Sequence, residues 1–149
     1  MLATAAQLQA RSAVVITGHG AAEVEAALTA SSPTTALQFV RQDPQLGTGH
    51  AVQQAVPVLA DDGLVVILSG DVPLTQADTL HALIAASGGT RLALLTIEFA
   101  DPTGYGRIVR EGAQVKAIVE QKDASDAQRA IREVYSGIMA LPAARLKAW

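Results

Sequence analysis

The sequence predicts an α/β fold. Three features carry that expectation: short, nearly continuous apolar runs rich in β-branched residues, longer segments of helical period between them, and turns built from Gly, Asp, Ser or Pro at the junctions. Apolar runs without polar alternation fit strands covered on both faces, as in a parallel sheet with crossover helices. Half of the 149 residues are hydrophobic and 17% are charged, enough to bury one substantial core, and no repeat, low-complexity tract or linker divides the chain. One domain over residues 1–149 is expected.

The elements follow in order. "AVVIT" (Ala13–Thr17) reads as a strand and "AAEVEAALTA" (Ala21–Ala30) as a helix with Val24, Ala27 and Leu28 on one face. "ALQFV" (residues 36–40) is a second strand, leading through "QDPQLGTGH" into the helical "AVQQAVPVLA". "LVVIL" (residues 64–68) is a third, and "SGDVPLTQADTL" after it opens a helix that ends near Ser87. "LALLTI" (residues 92–97) is a fourth buried run. "RIVR" and "VKAIV" flank Glu111-Gly112 as a hairpin, "DASDAQRAIRE" forms a polar helix with Ser125 or Asp123 as its N-cap, and "VYSGIMA" is the last strand. "PAARLKAW" begins a helix with Pro142 near its first turn. That pattern ends without a glycine cap, so the natural protein is expected to continue.

Composition excludes several classes of partner. With 11 basic against 14 acidic residues and no basic block, the chain lacks the footprint of a nucleic-acid binder. It contains no cysteine, hence no disulfide framework or thiolate metal site, in keeping with a reducing compartment. "MLATAAQLQARS" has no signal-peptide pattern, and the longest fully apolar run, residues 64–68, is too short to cross a bilayer. A cytoplasmic protein with small-molecule partners and no membrane association is expected.

Three loops carry chemistry. "TGHGAAE" places Gly18-x-Gly20 between strand and helix, with Asp43 at the distance of a ribose-binding acid, but Glu23 stands where a dinucleotide fingerprint needs Gly or Ala, which favours a plain tight turn. In "LVVILSGDVPL", Asp71 emerges at the C-terminal end of a buried strand, where open α/β sheets bind ligands. It either caps the Val72-Pro73 turn or serves a magnesium–phosphate site, since Mg²⁺ takes one or two carboxylates and completes its shell with water and phosphate. In "QLGTGHAV", either Thr48 merely caps the next helix, or Gly47 admits a flat ligand to the backbone at a helix N-terminus.

Taken together, "QLGTGHAVQQA" (residues 45–55), "SGDVPL" (residues 69–74), "DPTGYGRIVR" (residues 101–110), "IVEQKDASDAQ" (residues 118–128) and "EVYSGIMA" (residues 133–140) resemble, in order and spacing, the bacterial N-acetylglucosamine-1-phosphate uridyltransferases. These form the N-terminal half of the bifunctional GlmU enzymes. The resemblance covers nearly the whole chain and implies a Rossmann-like nucleotide-diphospho-sugar transferase sheet with crossover helices. The activity it implies is uridyl transfer from UTP to N-acetylglucosamine 1-phosphate, giving UDP-N-acetylglucosamine and pyrophosphate for cell-envelope precursors such as peptidoglycan and lipopolysaccharide. Mg²⁺ is the implied cofactor.

At matching positions the resemblance implies that Gln42, Gly47 and Thr48 hold uracil and ribose and that Asp71 binds magnesium with Ser69 and Gly70 beside it. It implies that Gly106 offers backbone to the sugar and Glu120 bonds sugar hydroxyls. Read without the family, Glu120 is a solvated strand-end charge that could pair with Lys122. Ser69 stands where the family commonly has tyrosine, and Tyr135 at the sugar site where it commonly has asparagine, replacing an amide by one phenolic hydroxyl. The family also has a first strand with a glycine-rich loop ending in Gly-Thr-Arg, a following lysine, a second, asparagine magnesium ligand, and a left-handed β-helix acetyltransferase domain through which it forms homotrimers. These features do not occur in the sequence, so the chain is expected to be an internal fragment that is inactive and poorly stable by itself. The alternatives are a non-catalytic nucleotide-binding remnant, another sugar-1-phosphate nucleotidyltransferase, or a cofactor-binding oxidoreductase resting on Gly18-x-Gly20 alone.

Overall fold

A computed structural model describes residues 1–31 and 35–148. A short helix, Leu2–Gln7 (α1), precedes Ala13–Thr17 (β1), Ala21–Ala30 (α2) and Leu37–Arg41 (β2). Helix Thr48–Ala55 (α3) runs into a 3₁₀ turn, Val56–Val58, ahead of Leu64–Ile67 (β3), Ala77–Ser87 (α4) and Ala93–Glu98 (β4). Arg107–Glu111 (β5) and Gln114–Val119 (β6) form the expected hairpin, with Gly112 at φ +58° in its turn. The chain continues through Asp126–Arg129 (α5), Glu133–Pro142 (β7) and Ala143–Leu146 (α6). Trp149, the end of the expected last helix, lies outside the described residues.

The strands divide between two sheets. β1 and β2 pair in parallel, Ala13 opposite Leu37 through Thr17 opposite Arg41, with α2 as the crossover. In the larger sheet β7 is antiparallel to β3, β4 and β5. The α/β fold with parallel strands and crossover helices is present in β1 and β2, and β7 adds antiparallel pairing that the apolar runs did not indicate. β3 and β4 do run the same way, linked by the crossover helix α4, but β7 lies between them. Apolar continuity reports burial on both faces, and a central antiparallel strand is buried just as well.

The core lies under α4. Leu80 and Leu83 of α4 meet Ile138 and Ala140 of β7, all buried, and Leu64, Val66 and Leu95 close around them. Gly88, at φ +55°, ends α4 as a left-handed cap. In contrast, α2 buries none of its residues, and Val24 of its supposed apolar face is 43% exposed. A two-stranded sheet is too narrow to cover that face. The polar helix expected over residues 123–133 is also shorter than read: only Asp126–Arg129 is helical, and Ser125, not Asp123, caps it through a reciprocal capping box with Gln128.

Ion pairs also tie elements together. Glu25 of α2 accepts from Thr17 Oγ1 at 2.9 Å and from Arg41 Nη2 at 3.0 Å, anchoring α2 to the ends of both parallel strands. Glu133 accepts from Arg110 Nε at 2.7 Å, and the bond to Arg110, which outweighs burial, holds the Glu133 carboxyl below its ordinary 4.5. A depressed carboxyl contributes stability above its unfolded value and loses it as pH falls through the folded one.

Two measurements test this packing. Leu80→Ala should cost about 2–5 kcal/mol in urea unfolding, whereas Val24→Ala should stay within about 0.5 kcal/mol; equal losses would contradict the placement of the core. Below about pH 4.5, the wild type should lose stability more steeply than Glu133→Gln, and parallel acid limbs in thermal melts would show that the pair contributes nothing.

Candidate functional site

The first group of residues is built at the C-terminal end of the parallel pair. Gln42 extends the ladder by one bond, its backbone N–H donating to the Thr17 carbonyl at 2.8 Å. Gly47 follows at φ 104°, ψ 176°, a conformation that L side chains rarely adopt, although nothing lies within 4 Å of where a Cβ would stand. Glycine is thus needed for backbone shape rather than for space. In that shape the Gly47 carbonyl accepts from Gln42 Nε2 at 2.8 Å and from the Ala51 amide at 3.1 Å.

Gly47 is also the N-cap of α3, and no side chain caps the helix. The reading of Thr48 as a capping residue is therefore corrected: Thr48 is already the first helical residue, one position too late for its hydroxyl to serve as the cap. The uncapped N-terminus opens on an exposed loop, residues 43–47. The Gly18-His19-Gly20 turn packs beside this loop, since a Cβ at Gly18 would lie 2.6 Å from Gln45 Nε2. Gly20, at φ 67°, is the N-cap of α2, so the tight strand-to-helix turn is what the structure contains.

The second group gathers along one edge of β7. Ala140 pairs with β3 on one side and β4 on the other, while Val134 pairs with β4 and β5. β3 and β5 consequently share an edge of β7, and the segment between them is open. Here β7 bulges: Leu94 faces Met139 and Thr96 faces Tyr135, so four steps of β7 match two of β4. Ser136 fills the break by donating from Oγ to the Leu95 carbonyl at 2.7 Å, and Gly137 takes φ +84°.

This bulge collects the predicted residues. A Cβ on Gly137 would stand 3.4 Å from Ser69, the residue that follows Leu68 at the exit of β3. Gly70 and Asp71 come next, both exposed. The Tyr135 amide donates to the Gly106 carbonyl at 3.0 Å. A Cβ on Gly106 would lie 2.9 Å from Ile118 and 3.4 Å from Glu120 Oε1, so here glycine is needed for space. Ser69, Gly106, Glu120 and Tyr135 therefore surround one stretch of strand. Gln42, Gly47 and Thr48 stand together on the other sheet.

The electrostatics are sparse. Glu120 is exposed at the end of β6, and among the described residues no ion pair joins it to Lys122. Tyr135 is half-buried, and desolvation raises its phenol to about 12, so it stays protonated and can donate. Among the described residues no cluster of three or more His, Cys, Asp or Glu side chains could hold a metal by itself. A lone exposed carboxylate such as Asp71 nevertheless suits Mg²⁺, a hard ion that keeps water and takes phosphate oxygens for the rest of its shell.

Two residues of this neighbourhood escaped the sequence reading. Gly137 was legible in principle, because an isolated glycine within a strand pattern marks a bulge. Arg107 was not: it is 1% exposed, and its guanidinium donates to the Tyr105 carbonyl and to Gln121 Oε1 at 2.6 Å, leaving Nε buried without a partner. It links the loop that carries Gly106 to the strand end that carries Glu120. No sequence pattern distinguishes it from a surface strand arginine.

Comparison with known proteins agrees with this architecture. The model for the MobA-like NTP transferase domain matches residues 1–137. The chain is 72% identical to the bifunctional protein GlmU of Albidiferax ferrireducens over 98% of its own length and 32% of that protein. It is 67% identical to that of Polaromonas naphthalenivorans over its whole length and 33% of that protein. The chain thus spans about a third of the length of these relatives. Among solved structures, a UDP-glucose pyrophosphorylase complexed with UDP-glucose superimposes with a TM-score of 0.72 over 98% of this chain and 64% of the other at 16% identity, and HddC from Yersinia pseudotuberculosis with 0.70 over 98% and 62% at 18%. That likeness is one of fold, and with the matched domain model it establishes that the chain belongs to the MobA-like NTP transferase domain family of nucleotidyltransferases.

Proposed function

We propose that this chain forms part of an N-acetylglucosamine-1-phosphate uridyltransferase, contributing the base wall and the sugar wall of the site. The observation that carries the reading is the convergence of Ser69, Gly106, Glu120 and Tyr135 on the β7 bulge, in a chain so similar to the GlmU relatives. The transfer is an in-line attack of the sugar 1-phosphate oxygen on the α-phosphorus of UTP, with pyrophosphate leaving. No protein nucleophile takes part, so positioning carries much of the catalysis.

Each wall has a share in this reading. Gln42, Gly47 and Thr48 hold uracil and ribose, the glycine leaving the backbone open to a flat base. Glu120 accepts from sugar hydroxyls, Gly106 lets the sugar approach the backbone, and the protonated Tyr135 phenol donates where an amide would otherwise serve. Asp71, with Ser69 and Gly70 beside it, holds Mg²⁺ against the nucleotide. That ion would neutralise charge on the phosphates. On this reading the full-length protein is cytoplasmic and a homotrimer assembled through a β-helix acetyltransferase domain.

Three outcomes are expected. In calorimetric titrations of the full-length protein, Asp71→Asn should weaken Mg²⁺-dependent UTP binding roughly ten-fold or more without moving the melting temperature. Wild-type binding at every magnesium concentration would sink the metal assignment. In the full-length protein, UTP should outrank CTP and the purine triphosphates in kcat/KM, because unmatched buried polar groups are costly; equal values for all four would contradict the base wall. In the same assay Glu120→Ala should raise the requirement for sugar 1-phosphate by about 1.5–3 kcal/mol, the range of a charge-assisted hydrogen bond, and an unchanged response would return Glu120 to a solvated strand-end charge.

A further inference from the structure

His50, in the first turn of α3, lies between two glutamine amides. Gln42 Nε2 is 3.0 Å from His50 Nδ1 and 2.8 Å from the Gly47 carbonyl oxygen. Gln54 Nε2 is 3.1 Å from His50 Nε2 and 3.3 Å from the His50 carbonyl oxygen. A carbonyl oxygen only accepts, so it is the NH₂ of Gln42 that faces Gly47. Its second N–H then meets Nδ1, which must carry no proton, and the ring proton sits on Nε2.

A neutral imidazole has a single acceptor nitrogen, so the ring cannot also accept from Gln54. The shorter 2.8 Å bond decides between the two amides. Gln42 keeps its orientation, and Gln54 exchanges its longer 3.3 Å contact for an oxygen turned toward the Nε2–H. Among the described residues this arrangement leaves Gln42 Oε1, an acceptor, as the one polar atom of that amide without a partner.

We propose that His50 is a positioning residue for base selection. By accepting from Gln42 it joins the Gly47 carbonyl in holding that amide so that the acceptor Oε1, not the NH₂, is free for a ligand. A fixed acceptor favours a base whose ring nitrogen carries hydrogen, as N3 of uracil does, over one whose ring nitrogen is bare, as N3 of cytosine is. The proposal rests on the reading of Gln42 as a base contact. His50 never touches the ligand.

Nitrogen-15 correlation spectra of the histidine rings in this chain test the arrangement directly, with His50 assigned by its loss in His50→Asn. The His50 ring should show a bare Nδ1 and a protonated Nε2, and Gln42→Ala should release it to a mixture of tautomers. A proton on Nδ1, or a ring indifferent to Gln42→Ala, overturns the proposal. UTP and CTP titrations supply the second readout. His50→Leu should reduce the preference for UTP roughly three- to ten-fold, while His50→Asn should retain it, because its amide oxygen stands close to where Nδ1 stood. If Gln42→Ala erases the preference and His50→Leu leaves it intact, the positioning role fails. If Gln42→Ala itself changes nothing, the base contact fails, and the ring spectra still decide what His50 does to the amide.

Discussion

The structure depends above all on the pairing of β7. That strand accepts β4 along one edge and divides the other between β3 and β5, so three elements distant in sequence are set in register by one backbone. Its inward residues Ile138 and Ala140 also meet α4 in the core, and hydrophobic burial and ladder hydrogen bonds fix the same strand. The bulge at residues 136–138 follows from this double attachment. The two ends of β7 are both held in register, and the extra residues between them must leave the ladder.

The proposed sugar-side residues gather where the ladder is interrupted. The edge of β7 between β3 and β5 is where Ser69 leaves one strand and Gly106 enters another, so the chain turns outward twice at one place. Glycine serves this geometry in two ways. Gly137 supplies a positive φ within a strand, while Gly106 supplies room against Ile118 and Glu120. The buried Arg107 ties the loop before β5 to the end of β6 through neutral acceptors, one the Tyr105 carbonyl and the other the Gln121 amide oxygen. Its Nε keeps no partner, so these two bonds are what offset the cost of burying the cation, and breaking either would be costly.

The loop proposed to hold the base uses a different device. There the parallel ladder ends at Gln42, and the side chain of that same residue turns forward to the Gly47 carbonyl. A single glutamine therefore joins the end of a strand to the start of a helix, and Gly47 is the residue whose backbone can meet it. The loop is exposed, and its order comes from these few polar contacts rather than from a packed interior.

Much of this molecule is determined by its local sequence. The bounds of α2, the turn at Gly112, the end of α4 near Gly88 and the capping role open to Ser125 all follow from period, cap and turn chemistry, which act over a few neighbouring residues. The catalogue of site residues came from motif resemblance, and their grouping was beyond it. Tertiary structure alone decided that β7 separates β3 from β4, that α2 leaves Val24 exposed, and that Arg107 is buried at the site. Each depends on which strand edges meet, and an apolar run carries burial but neither direction nor partner. The same limit applied to Thr48: its position as first helical residue is set by the conformation of Gly47, which brings the preceding carbonyl to Gln42, and no reading of residue types in order reveals that contact.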